Sequence, residues 1–569
     1  MEISLVESSR DRTVLRLEVP GLEISPVDIG GERYVIVSHP DALPLLEKGL
    51  PGLPRISTTV AIPPGVAVQV TVLDAEFEEF ALGPVAPSRG ALPRTEDPHE
   101  VPYEFDAFYQ TDSWFPSKNI RVSDPFVLRD VRGVTVQFQP VQFNPSGNII
   151  KVATTLTVAV EAKDGTGPGV TLRETGRSVS EDFVHVYERV FLNYATLEWN
   201  IRESIEEPGN LVLVVYDEFV DAVEPLAEWK IQKGIPTRII PLSQIGTSGL
   251  EIKGYLRDLY DAGELTYVIL VGDAEQVPVI YGSTGAASDP SYVMLDGDDI
   301  YPDAFISRIS ASTVRQVRAQ VDKFIAYEKD PVPGDWYHAG VGVASNEGYD
   351  VPPDYLADWE RAETLRSMLL DYTYTRVDQI YDPGASLTSL VNAINNGRSI
   401  LIYLGHGSGT SWATTWFDTS DASRLKNFGM LPFIVDVSSF NGKWPGQTSL
   451  AEAFLRNPDG GAVGMFSSSV SPSWVPPTVM QKKVIELLVG EQRHTMGSLA
   501  LLGSMLTVEA YGGNTEGVAI VEEYNLFGDC TLPMRTSTPT RLTVHHDPVV
   551  PVGTSRMTVS ADVSGAMWD

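Results

Sequence analysis

The sequence predicts a multidomain chain: an all-β region, an α/β region with a mostly parallel sheet, and the start of a β-sandwich. Three observations carry this. Up to about residue 200, apolar and polar side chains alternate between frequent prolines and glycines. From about residue 210 the apolar runs become continuous, with amphipathic segments between them. After Leu532-Pro533 the alternation returns. At 569 residues the chain also exceeds what a single core accommodates.

In the first region "RTVLRLEVPG", "RYVIVS", "VAVQVTVLDAEF", "FVLRDVRGVTVQFQPVQFN" and "KVATTLTVAVEA" read as half-buried strands, and helical periodicity is nearly absent. The linker "EWNIRESIEEPGN" closes it, placing a boundary at residue 202. The second region, 203–535, holds "LVLVVY", "YVILVGD", "GVGVAS", "ILIYLGHG", "PFIVDVSS" and "GAVGMFSSS", each long enough for a strand buried on both faces. Segments 217–234, 314–329, 386–397 and 477–490 read as the intervening helices. The last region, 536–569, with "TRLTVHHDPVV" and "SRMTVSADVSG", reads as an incomplete β-sandwich.

The formal charge is −33, from 42 basic and 75 acidic residues, and the isoelectric point is near 4.6. No broad basic face is available for phosphates, which argues against a nucleic-acid partner. The N-terminal stretch lacks an apolar signal core, and no run of eighteen apolar residues predicts a membrane span. Cys530 is the only cysteine, so no intrachain disulfide forms.

Chemistry gathers at strand ends, where open α/β sheets bind ligands. "ILIYLG" runs into His406-Gly407-Ser408, "PFIVDVS" ends at Ser439, and "GVGVAS" is followed by Asn346-Glu347-Gly348. If these strands are neighbours, a nucleophile position, an imidazole and a carboxylate meet on one rim. Each also has a plain structural alternative: a solvated histidine, a turn serine, a loop-capping glutamate.

"YLGHGSGTSWATTWF" and "LPFIVDVSSFNGKW" closely resemble the gingipain family of caspase-like cysteine peptidases. "LAEWKIQKGIPTRII", "YVILVGDAEQVP", "VASNEG", "YDPG" and "LFGD" extend the resemblance over roughly residues 205–535. The upstream region resembles that family's β-rich propeptide, and the tail resembles its immunoglobulin-like module.

The resemblance implies a secreted or cell-surface endopeptidase zymogen, cleaving protein or peptide substrates after a basic residue, with arginine preferred and lysine second. Ser439 then stands where the family has its nucleophilic cysteine. A thiol near pKa 8.5 ionises readily beside an imidazole, whereas a serine hydroxyl needs a strong general base. Three origins fit Ser439: an inactivating substitution, a natural inactive homologue serving peptide binding or secretion and assembly, or a true serine hydrolase. His406 would move the proton, Glu347 would orient the imidazole, and the amides of Gly407 and residue 439 would form an oxyanion hole.

For substrate binding the resemblance points to Asp358 as the carboxylate floor of the P1 pocket and to Trp474 as its wall; alone, these read as a helix-start acid and a packing indole. Arg202 in the linker is the expected processing site. Arg129 and Arg132 are the expected inhibitory residues of the propeptide. The loop 288–305 concentrates Asp289, Asp296, Asp298, Asp299 and Asp303, hard oxygen donors that suit a structural Ca²⁺ of the kind the family binds. EF-hand spacing is absent, so an acidic turn competes with that expectation.

Overall fold

A computed structural model describes all residues except 167–178, 198–203, 206–208, 350, 352–353, 491–494, 564–565 and 569. The N-terminal region is built on two five-stranded sheets. One contains Glu2–Ser8, Arg12–Glu18, Val141–Asn144 and two long strands, Val66–Ala81 and Ile149–Thr166. The other contains Leu43–Pro44, Pro54–Ala61, Ile120–Val122, Phe126–Leu128 and Val131–Phe138. Leu15, Leu17, Val134, Val136, Phe138, Val158 and their neighbours form its own core.

One element departs from the all-β expectation. "SEDFVHVYERVF" forms a helix over Glu181–Val190 that buries Phe183, Val186, Tyr187 and Val190. These fall at helical spacing, on a single face. That face joins the core of the following region, together with Ala61, Phe126, Leu128 and Val131 of the second sheet. The helix is short, and its pattern is easily lost among strands.

The α/β region is organised by a ten-stranded sheet. Its order is Thr237–Pro241, Leu211–Val215, Tyr267–Val271, Phe305–Ile309, Tyr524–Gly528, Gly464–Ser468, Phe433–Val437, Ile400–Leu404, Ala339–Ala344, Arg376–Tyr381. All neighbours run parallel except Gly464–Ser468 against Tyr524–Gly528, where two parallel blocks meet antiparallel. Continuous apolar runs were required because both faces are covered: Leu211, Leu213 and Val215 enter one core, Val212 and Val214 the other. The four expected helical segments form Val220–Gln232, Val314–Lys329, Leu387–Asn395 and Val475–Gly490.

The tail forms an antiparallel three-stranded sheet, Leu542–His546, Val559–Val563 and Ala566–Trp568. Its first strand is exposed throughout. Among the described residues, no helix is long and apolar enough to cross a membrane.

Candidate active site

Register places the three strand ends side by side. Leu404 pairs with Val437 and Ala344 pairs with Leu404, so His406 and Ser439 each lie two residues past a paired position. Glu347 lies three residues past its own. His406 Nε2 is 2.5 Å from Glu347 Oε2, and both side chains remain partly open to solvent. Ser439 is buried, and its hydroxyl shares a 3.1 Å hydrogen bond with that of Ser471.

Phe440, directly after Ser439, has φ 66°, a conformation that is uncommon for a bulky side chain. Strain of this kind persists only where the surroundings enforce it. Here Phe440 N donates to Val470 O at 2.8 Å, Asn441 Nδ2 donates to Ser438 Oγ at 2.8 Å, and Gly409 N donates to Asn441 Oδ1 at 3.0 Å. These bonds tie the turn at Ser439 to the loop after His406. Gly407 sits between them. A methyl group on it would lie 2.6 Å from Ser439 O and 2.8 Å from Ser438 Oγ, so only glycine fits.

Asp436, fully buried in the strand leading to Ser439, anchors the same network. It accepts from Ser438 Oγ at 2.7 Å, Ser467 Oγ at 2.5 Å and Trp412 Nε1 at 2.8 Å. Burial pushes its carboxyl up to about 6, against the opposing pull of the two hydroxyls and the indole. Asp436 was not among the residues to which the sequence pointed. A lone acid inside "PFIVDVSS" was the available signal, since a charged group in a buried run needs partners.

Asp358 opens the helix Asp358–Tyr372 and is completely buried. Its backbone N–H donates to Glu347 O at 2.8 Å, and Ser345 Oγ donates to its carboxylate at 3.0 Å. Asp358 is thereby fixed to the Glu347 loop. An arginine from the N-terminal region lies against its carboxylate. Arg94 Nη1 and Nη2 reach the two Asp358 oxygens at 3.0 and 3.2 Å, and its guanidinium lies 4.5 Å from the Trp474 ring centre. Trp474 also meets the His406 ring edge-on at 5.5 Å.

The backbone around Arg94 pairs antiparallel with residues 472–474. Arg94 N donates to Pro472 O at 3.0 Å, and Trp474 N donates to Leu92 O at 2.8 Å. The chain then bends at once: Glu96 N donates to Pro93 O at 3.0 Å, and Trp474 Nε1 donates to Glu96 O at 3.0 Å.

One expectation is corrected here. Arg129 and Arg132 do not enter the pocket. Arg129 donates to the carbonyls of Asp303 and Leu265, and Arg132 to those of Pro63 and Val66. Arg129 sits in the turn between Phe126–Leu128 and Val131–Phe138, and Arg132 lies on the second of these strands; the arginine that reaches Asp358 comes instead from the proline-rich "ALPRTEDPHE". In the acidic loop the aspartates are engaged separately. Asp289 is paired with Arg308 at 2.6 Å, and Asp303 accepts the backbone N–H groups of Arg129, Leu295 and Asp296. Asp299 accepts from Val127 and Tyr301, Asp296 accepts from Gly297, and Asp298 takes part in no shared cluster. Among the described residues, no group of three or more His, Cys, Asp or Glu side chains is arranged to hold a metal. Arg202 lies outside the described residues. Cys530 is buried, and burial pushes its thiol far up, which leaves it inert as a nucleophile.

A parallel-sheet rim bearing a His–carboxylate pair, beside an acid-floored pocket closed by a preceding domain, defines a hydrolase-type α/β domain with its own N-terminal cover. The chain belongs to peptidase family C25, whose profile matches residues 204–535, and the profile Propeptide_C25 matches residues 2–195. It is 29% identical to gingipain R2 of Porphyromonas gingivalis over all of this chain and 78% of that protein. The crystal structure of the Arg-specific cysteine proteinase gingipain R superimposes with a TM-score of 0.59 at 28% identity, covering 62% of this chain and 84% of that one. The complex of Porphyromonas gingivalis RgpB pro- and mature domains gives 0.59 at 29% identity, covering 62% and 86%.

Proposed function

We propose that this chain is the latent form of a secreted or cell-surface endopeptidase that cleaves after arginine, and second after lysine, when residue 439 is cysteine. The observation that carries the proposal is Arg94, held by Asp358 and Trp474 as a substrate side chain would be. A planar guanidinium satisfies both carboxylate oxygens and stacks on the indole, whereas a lysine ammonium does neither as fully.

The residues take the following roles. A thiolate at 439 attacks the carbonyl, His406 delivers the proton to the leaving amine, and Glu347 orients the imidazole and stabilises its charge. The amides of Gly407 and residue 439 receive the developing oxyanion; loss of one such donor costs about 3–4 kcal/mol in other acyl-transfer enzymes. Water then hydrolyses the thioester. The N-terminal region acts as inhibitor. It presents Arg94 from the unprimed side and turns away within the Pro93–Glu96 bend, which keeps the Arg94–Thr95 bond off an extended path.

The test replaces Ser439 by cysteine and assays arginyl and lysyl reporter peptides. Activity that appears only with cysteine supports this function. Hydrolysis already present with serine would make the chain a serine hydrolase, and a folded Ser439→Cys chain that stays inert after Arg94→Ala has relieved the block would make it a binding protein.

A further inference from the structure

Arg94 is not the only side chain of its segment to be received by the α/β region. Leu92, two residues earlier, is almost fully buried in a small apolar cluster with Val351, Trp474, Val475 and Tyr511, separate from the main cores; Leu43, Leu46 and Val101 of its own N-terminal region also pack against this cluster. The four partners come from three places: the loop after Glu347, the start of the helix Val475–Gly490, and the residue following the helix Met496–Ala510. In an extended strand, residues i and i+2 project to the same side. Leu92 and Arg94 fit that rule, since both lie against Trp474. The backbone between them is held in register by the Trp474 N to Leu92 O bond and the Arg94 N to Pro472 O bond.

From this arrangement we infer that the cleft has a second specificity pocket, whose α/β wall is Val351, Val475, Tyr511 and Trp474, that selects an apolar aliphatic residue two positions before the scissile arginine. The inference rests on the function proposed above and adds its substrate class: chains of the pattern aliphatic–Xaa–Arg. The pocket is dry and lined by aliphatic and aromatic carbon, so a leucine or valine is favoured, a glycine leaves it unfilled, and a carboxylate is desolvated there without a partner. One indole serves both positions, so filling the second pocket also buttresses the guanidinium stack.

Binding to the full chain with serine retained at 439 tests this without turnover. Leu92→Gly with Arg94→Gly vacates the cleft, and melting verifies that the variant is folded. Calorimetric titration then compares acetyl-Leu-Pro-Arg-amide with peptides carrying valine, glycine or aspartate in place of leucine. The leucine and valine peptides should bind on the order of tenfold more tightly than the glycine peptide, with aspartate weakest. Val351→Ser should shrink that ratio. Equal affinity for the leucine and glycine peptides would overturn the second pocket and leave arginine recognition standing. Failure of every arginyl peptide to bind a folded chain would remove both. Should the double variant not fold, the Ser439→Cys chain carries the same comparison. Leu92→Gly should raise reporter-peptide turnover about tenfold while Leu92→Val stays latent, and equal latency would overturn the inference.

Discussion

The Arg94 guanidinium and the Asp358 carboxylate, 264 residues apart in the chain, face each other through two hydrogen bonds with no solvent exposure on either side chain. Removing one member of a buried pair costs about 3–5 kcal/mol where the other is left uncompensated, and loss of Arg94 leaves Asp358 with only the longer 3.5 Å pairing to Arg361. The pair joins two domains, so that penalty falls on their association.

Arg94→Ala in the Ser439→Cys chain should therefore abolish latency. Reporter-peptide turnover by the unprocessed protein should rise by a hundredfold or more, on the order of the lost pair energy. Arg94→Lys should retain partial latency, because an ammonium reaches the carboxylate without matching its two oxygens. An Arg94→Ala chain as latent as its parent would show that the block lies elsewhere.

Asp358→Asn should remove arginyl cleavage by about three orders of magnitude, mainly through binding, since the substrate cation would enter a dry pocket without a counter-charge. The same substitution should loosen the N-terminal region, read as faster limited proteolysis near Arg94. Undiminished kcat/KM on arginyl peptides would exclude Asp358 as the pocket floor.

Glu347→Gln keeps the shape of the pair with His406 but withdraws the charge. In the Ser439→Cys chain kcat should drop about ten- to a hundredfold with KM nearly constant, because the imidazolium it stabilises forms only during reaction. A change confined to KM would place Glu347 in substrate binding instead.

Asp436 supplies a pH signature. Its folded carboxyl lies near 6 and an unfolded one near 3.8. The folded state thus binds the proton more tightly. The stability from this group is fully present below the lower value and is lost as pH rises through about 6. Asp436→Asn should flatten that part of the stability curve between about pH 4 and pH 6, measured by denaturant titration. In the Ser439→Cys background it should also lower kcat, because Ser438 and Trp412 lose the acceptor that aligns the two loops. The Arg94 charge opposes the upward shift, so Arg94→Ala should move the carboxyl higher still.

Much of this was legible along the chain. His406, Ser439 and Glu347 were readable because parallel strands announce themselves as uninterrupted apolar runs, and their carboxyl ends are where such sheets bind ligands. Asp358 and Trp474 came from family resemblance, since a helix-start acid and a lone indole carry no spacing signal of their own. Arg94 was not readable. It lies in a loop without periodicity, and its role arises from a pocket encoded hundreds of residues later. In the acidic loop composition gathers the aspartates, while the fold has Arg308 and nearby backbone N–H groups engage Asp289 and Asp303 separately.

Local pattern by itself determined the order of β and α/β regions, the buried strands and which side chains follow their ends, because burial on one face or two leaves its period in neighbouring residues. Only the tertiary structure decided which arginine closes the cleft, which carboxylates stay free to act, and that Asp436 braces the turn at Ser439. Those outcomes depend on groups brought together from distant segments, where each donor finds the one acceptor left to it once the chain has folded.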